Sequence, residues 1–170
     1  VFQRERFDQY SNFARIGEGS LGGKGRGLAF LDRMIKKVRE NEIEHADLLH
    51  IPKTLVLCTD IFDEFMETNE LYSIAMSDIS DEEMLSCFLR GRLPHRLLAD
   101  LEVFIEVVKT PLAIRSSSLL EDSHYQPFAG IYSTYMIPYD EDKYCRLEML
   151  SNAIKGVYAS VYFRSSKDYM

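Results

Sequence analysis

The sequence predicts an α+β domain, and two observations carry that prediction. Three short runs, TLVLC at 54–58, LAIR at 112–115 and IYSTYMI at 131–137, have the length and the β-branched or aromatic content of strands. The segments between and after them repeat apolar residues at helical spacing, as in Leu97, Leu101, Phe104, Ile105 and Val108, or Leu147, Leu150, Ile154, Val157 and Val161. A chain of 170 residues with 46% hydrophobic content is long enough to close one core, so residues 1–170 are read as a single domain.

Taken in order, residues 1–13 carry Phe2, Phe7, Tyr10 and Phe13 among charges without a clear period. They read as an arm that packs on the domain or continues from a preceding region. A glycine-rich stretch follows and opens onto a helix marked by Leu28, Leu31, Ile35 and Val38, with Arg33, Lys36, Lys37 and Arg39 on the other face and in the last turns. Residues 41–50 are a polar connection into TLVLC, expected to be a buried strand. Thr59 or Asp60 is placed to cap a short helix carrying Phe62, Phe65 and Met66 and ending near Asn69. Ser80 and Glu83 have the spacing of a capping box ahead of Met84, Leu85, Phe88 and Leu89, and Pro94 separates that helix from the next. Pro111 introduces LAIR, residues 126–130 supply a turn, and the last long helix begins after Asp140 or Asp142.

The chemistry concentrates in two places. Gly17, Gly19, Gly22, Gly23, Gly25 and Gly27 are six of the 9 glycines, all within IGEGSLGGKGRGL at 16–28. Such a cluster is kept where backbone turns sharply or lets something approach closely. Amides of a glycine turn, the N-H groups at the start of the following helix and the charge of Lys24 together suit a phosphate. The plainer reading is a flexible loop that caps the helix. The P-loop template fails, because Glu18 stands where it needs glycine and Gly25 where it needs a hydroxyl. The dinucleotide pattern is met literally by Gly17, Gly19 and Gly22, yet the next strand-like run ends near Asp60, too far along for its acidic residue. The second place is Arg115, at a strand end and followed by Ser116, Ser117 and Ser118. Its guanidinium can fork two phosphate oxygens while serine donates to a third, or it can simply pair with Glu121 or Asp122.

A net charge of -7 argues against nucleic acid or an anionic membrane surface as the main partner. Cys58, Cys87 and Cys145 are odd in number and widely spaced, which suits small core residues in a reducing compartment. The four histidines show no metal-binding spacing, so no metal is assigned to them. With no long apolar run and no signal peptide visible, the expected location is cytoplasmic. The chain begins at Val1 and is read as a piece of a longer protein.

Five segments in series carry a resemblance: GGKGRGL at 22–28, IPKTLVLCTDIFDEFM at 51–66, LAIRSSSLLEDS at 112–123, FAGIYSTY at 128–135 and AIKGVYASVY at 153–162. Together they resemble the N-terminal nucleotide-binding region of the phosphoenolpyruvate synthase and pyruvate phosphate dikinase family. The resemblance implies the first subdomain of an ATP-grasp domain. It implies that Lys24 and Arg115 contact the phosphates of ATP, with Gly22, Gly23, Gly25, Ser116, Ser117 and Gly130 in the matching segments. It further implies a transfer of the β-phosphate of ATP to a histidine on a separate domain and from there to pyruvate on a third. Adenine and magnesium ligands are expected outside this chain, and the chain alone is expected to turn over nothing and to self-associate through exposed apolar surface. Arg26 and Gly27 depart from the family's usual continuation after GGKG, which leaves room for a different acceptor. The alternatives are a degenerate module kept for regulation or assembly and, less favoured, a dinucleotide-binding oxidoreductase module.

Overall fold

The structure is a computed structural model and describes residues 2, 12–41, 48–118 and 132–168. Strand β1 (Phe13–Ile16), helix α1 (Gly22–Glu40) and strand β2 (Thr54–Leu57) form a βαβ unit. Its strands pair in parallel, Phe13 opposite Thr54 and Ile16 opposite Leu57. Four helices follow: α2 (Thr59–Thr68), α3 (Leu71–Ala75), α4 (Asp81–Arg90) and α5 (His95–Val107). Strand β3 (Leu112–Ile114) then pairs antiparallel with β4 (Tyr135–Ile137), Leu112 opposite Ile137. The long helix α6 (Lys143–Ser160) packs on α4, α5 and both of these strands, and the short α7 (Arg164–Lys167) ends the described chain. The α+β class read from the sequence is the class observed.

Local chemistry explains the ends of these elements. Ser80 Oγ accepts from the Glu83 amide at 3.2 Å and Glu83 Oε2 accepts from the Ser80 amide at 3.0 Å, the reciprocal capping box expected ahead of α4. Asp142 caps α6 by accepting from the amides of Tyr144 at 2.8 Å and Cys145 at 3.3 Å. At the end of α2 the side chain of Asn69 donates to the Phe65 carbonyl, satisfying one of the orphan acceptors of a helix C-terminus. The core gathers Ile61, Phe65, Met84, Phe88, Leu97, Leu101 and Ile154 from α2, α4, α5 and α6. Phe65 lies between Phe88 and Tyr158, with ring centroids 6.0 Å and 5.5 Å away.

One cation belongs to this interior. Arg146, on α6, is 2% exposed; its Nη1 donates to the Ile105 carbonyl at 2.9 Å and its Nη2 to the Thr110 carbonyl at 2.7 Å. The guanidinium carbon also lies 5.0 Å from the centroid of the Tyr139 ring. Burial pushes its pKa below the usual arginine value, and two carbonyls and an aromatic face hold the charge in place. It thereby ties the end of α5 to the approach into β3.

Several expectations change. Phe13 opens β1, and the Phe2 amide donates to the Arg15 carbonyl at 2.7 Å with its ring buried. The strand expected over 131–137 is confined to Tyr135–Ile137, because the Ser133 amide turns to Ser160 Oγ at 3.1 Å; Ile131 lies outside the described residues. Within β2 only Val56 is buried, the other three residues being half-buried. On α1, Leu31 is exposed together with Phe30 and Met34, while Leu28, Ile35 and Val38 are half-buried. Of the cysteines expected inside, Cys58 is buried, Cys87 is intermediate and Cys145 is exposed in the first turn of α6. Among the described residues no helix is long and apolar enough to cross a membrane.

Candidate functional site

Three chain segments leave the strands and meet. The glycine stretch follows β1, the start of α2 follows β2, and Arg115–Ser118 follow β3. The glycine stretch divides between the other two.

Its first half docks on α2. Gly17 has φ 95°, a left-handed conformation that turns the next amides to one side. The Glu18 amide donates to Asp60 Oδ2 at 3.1 Å and the Gly19 amide to Asp60 Oδ1 at 2.9 Å. The Ser20 amide donates to Thr59 Oγ1 at 3.0 Å, and the Thr59 amide returns a bond to the Ser20 carbonyl at 3.1 Å. Burial raises the pKa of Asp60, but the amides of Gly19 and Glu18 and the charge of Arg96 outweigh it, so the carboxyl titrates below its usual range. Arg96 lies 4.0 Å from Asp60 and is itself paired with Glu64.

The second half docks on the segment after β3. Ser117 Oγ accepts from the Gly25 amide at 2.8 Å and donates to the Leu21 carbonyl at 2.7 Å. The Ser117 carbonyl accepts from the Gly23 amide at 2.9 Å. Gly22, at φ 72°, lies so close that a Cβ built there would overlap the Ser117 carbonyl oxygen. Its own amide goes to Ser20 Oγ at 3.2 Å. Ser116 Oγ accepts from the Ser118 amide at 3.0 Å.

Six backbone amides of the glycine stretch are therefore engaged within the protein: Glu18, Gly19 and Ser20 by α2, Gly22 by Ser20, and Gly23 and Gly25 by Ser117. The physical reason is that free amides of a turn and of a helix start seek acceptors, and the fold supplies a carboxylate, three hydroxyls and a carbonyl at bonding distance. The cationic side chains nearby are Lys24, half-buried in the first turn of α1; Arg26, whose Nε donates to the Gly22 carbonyl at 3.3 Å; and Arg115, exposed two residues before Ser117. Tertiary structure thus joins the Gly22–Gly25 turn to Ser117 in the segment that carries Arg115. Gly130, Glu121 and Asp122 lie outside the described residues.

Acids near the loop are committed as well, Glu18 to Arg15 at 2.9 Å and Asp60 to backbone amides. Among the described residues no group of three or more histidine, cysteine or acidic side chains could hold a metal ion. The order strand, glycines, helix, parallel strand does match a dinucleotide-binding unit in outline. What differs is the acid, since Asp60 faces the glycine amides rather than open space above the sheet.

The sequence places Thr59 or Asp60 as the cap of α2 and Asp60 too far along for the dinucleotide acid; in the structure Cys58 holds the N-cap position with no side-chain cap bond, because Thr59 and Asp60 turn to receive the glycine stretch instead. The available signal was a hydroxyl and an acid directly after a strand in a chain with a glycine loop after another strand. Arg146 had no signal at all, because arginine in a helix ordinarily reads as surface.

No curated protein and no solved structure gives a significant match to the chain. The model of the pyruvate phosphate dikinase AMP/ATP-binding domain matches residues 18–170, from Glu18 in the glycine stretch onward. With both motifs joined in the fold and nearly the whole chain inside that match, the chain belongs to the pyruvate phosphate dikinase AMP/ATP-binding domain family.

Proposed function

We propose that the chain is the ATP-binding part of a phosphoenolpyruvate synthase-like phosphotransferase, with Lys24 and Arg115 holding the ATP phosphates. The observation that supports this most directly is the clasp between Ser117 and the Gly23 and Gly25 amides, which brings the Arg115 segment onto the loop that carries Lys24.

Side-chain charges carry the recognition, because the amides of Glu18, Gly19, Ser20, Gly22, Gly23 and Gly25 are occupied. Lys24 acts as a point charge, and the planar fork of Arg115 takes two oxygens of one phosphate. Arg26 adds a third positive charge beside the turn in a protein of net charge -7, which makes the turn a local attractor for anions. Phosphoryl transfer needs positioning and charge neutralisation more than covalent help, so these groups suffice on the protein side. Acids expected outside this chain would hold magnesium, which would supply further charge neutralisation at the phosphates. The β-phosphate would pass to a histidine on another domain and then to pyruvate or another acceptor.

Titration of ATP into the 170-residue chain by calorimetry tests the binding step. Saturable binding that weakens roughly tenfold or more in Arg115→Ala, and less in Lys24→Ala, supports the reading. Equal binding by wild type and both variants overturns the site assignment. For the transfer step, a longer protein that contains this chain is incubated with β-labelled ATP. Label on a histidine, lost in Arg115→Ala, supports the phosphotransferase. ATP binding without any label points to a regulatory or degenerate module instead.

A further inference from the structure

We propose that the first half of the glycine stretch is an anion nest whose resident occupant is the protein's own Asp60 carboxylate, and that Asp60 thereby positions the Lys24 turn relative to Arg115. The positioning clause rests on the function proposed above; the nest does not.

Three consecutive amides, those of Glu18, Gly19 and Ser20, are received by two consecutive side chains, Asp60 and Thr59. The two carboxylate oxygens divide the first two amides between them at 3.1 Å and 2.9 Å. The positive φ of Gly17 aims those amides, and a side chain at Gly17 would overlap the Asp60 carboxylate. Asp60 also sits in the first turn of α2, where the helix dipole favours negative charge, with Arg96 at 4.0 Å. Successive inward amides, a helix start and a cation are the surroundings in which proteins hold phosphate or carboxylate ions. Here the anion is covalently supplied, so a nucleotide phosphate has no place in this half and is directed to the half that carries Lys24.

The bond network gives the positioning role its route. Ser20 is fixed to Thr59 by two hydrogen bonds, and Ser20 Oγ in turn accepts from the Gly22 amide at the head of α1. Lys24 lies in the turn that begins there. Loss of the carboxylate frees Glu18 and Gly19, loosens Ser20 and leaves Lys24 on an unanchored turn.

The experiment uses the 170-residue chain as wild type, Asp60→Ala and Asp60→Asn, with amide hydrogen exchange at Glu18 and Gly19 and ATP affinity as readouts. In Asp60→Ala, exchange at both amides is expected to quicken and ATP affinity to fall by about tenfold each, the effect of losing charge-assisted hydrogen bonds. About 0.1 M sodium acetate should restore both, because acetate can enter the vacated nest, whereas sodium chloride at the same concentration controls for screening. Asp60→Asn should quicken exchange without acetate rescue, because its carboxamide fills the space and turns a donor toward one of the amides. Unchanged exchange in Asp60→Ala, or quickened exchange that acetate does not reverse, overturns the nest. Should Asp60→Ala not fold, Asp60→Asn carries the test, and wild-type exchange rates at its Glu18 and Gly19 overturn the nest. Wild-type protein that binds no ATP overturns the proposed function and the positioning clause, while the exchange arm still decides the nest. Rescue of exchange without rescue of affinity overturns positioning alone.

Discussion

Gly22 and Ser117 are in direct backbone apposition: the glycine is at φ 72° and has no room for a Cβ beside the serine carbonyl. Gly22→Ala therefore meets two penalties at once, a left-handed backbone and an overlap with main chain that cannot swing aside. It is expected to destabilise the domain by about 2–3 kcal/mol, read from chemical denaturation. Gly27→Ala, where a Cβ meets open space, is the control and should match wild type or gain slightly from helix propensity.

Ser117→Ala removes a hydroxyl that accepts from the Gly25 amide and donates to the Leu21 carbonyl. Those two groups are four residues apart in a helix and can bond each other, so the loss should be about 1 kcal/mol. Ser117→Val should cost more, because its branches collide where the hydroxyl was bonded. Thermal unfolding of the two variants side by side checks this order.

Arg146 holds two carbonyls with one guanidinium, that of Ile105 inside the core and that of Thr110 at its edge. Arg146→Met keeps much of the volume but leaves both acceptors unpaired, and about 3 kcal/mol or more of stability should be lost. Arg146→Lys keeps the charge without the planar fork and should recover only part of the loss in the same denaturation assay.

Asp60 has a folded-state pKa below its ordinary value. Its contribution is therefore present above the unfolded carboxyl pKa of about 4 and disappears as pH falls through the lower, folded value. The stability gap between wild type and Asp60→Asn should be constant at neutral pH and close below about pH 4. A gap that persists unchanged to pH 2 would contradict the assigned direction of the shift. Midpoints of thermal unfolding, taken from pH 7 downward, read it directly.

What could be read from the sequence was whatever depends on near neighbours along the chain. The Ser80–Glu83 box, the helix after Asp142 and the stripe from Leu97 to Val108 all rest on contacts three or four residues apart. They appear where periodicity and caps put them. The family was also legible, since five motifs keep their order whatever the packing. Strand β1 was not, because FARI carries a charge and becomes a strand only by pairing with β2, 41 positions further on. Likewise the shortening of the strand before Ile137 depends on Ser160, 27 residues from Ser133.

The candidate site divides in the same way. Composition and motif point to Lys24, Arg115, the glycine turn and the serines as candidates, because phosphate chemistry restricts the residue types that serve it. Which donors remain for a ligand was decided only in three dimensions. Asp60 and Ser117 approach the glycine stretch from 41 and 92 residues away and take its amides. Hydrogen-bond satisfaction is a property of the folded surroundings, and a linear pattern of glycines cannot state which acceptor arrives first.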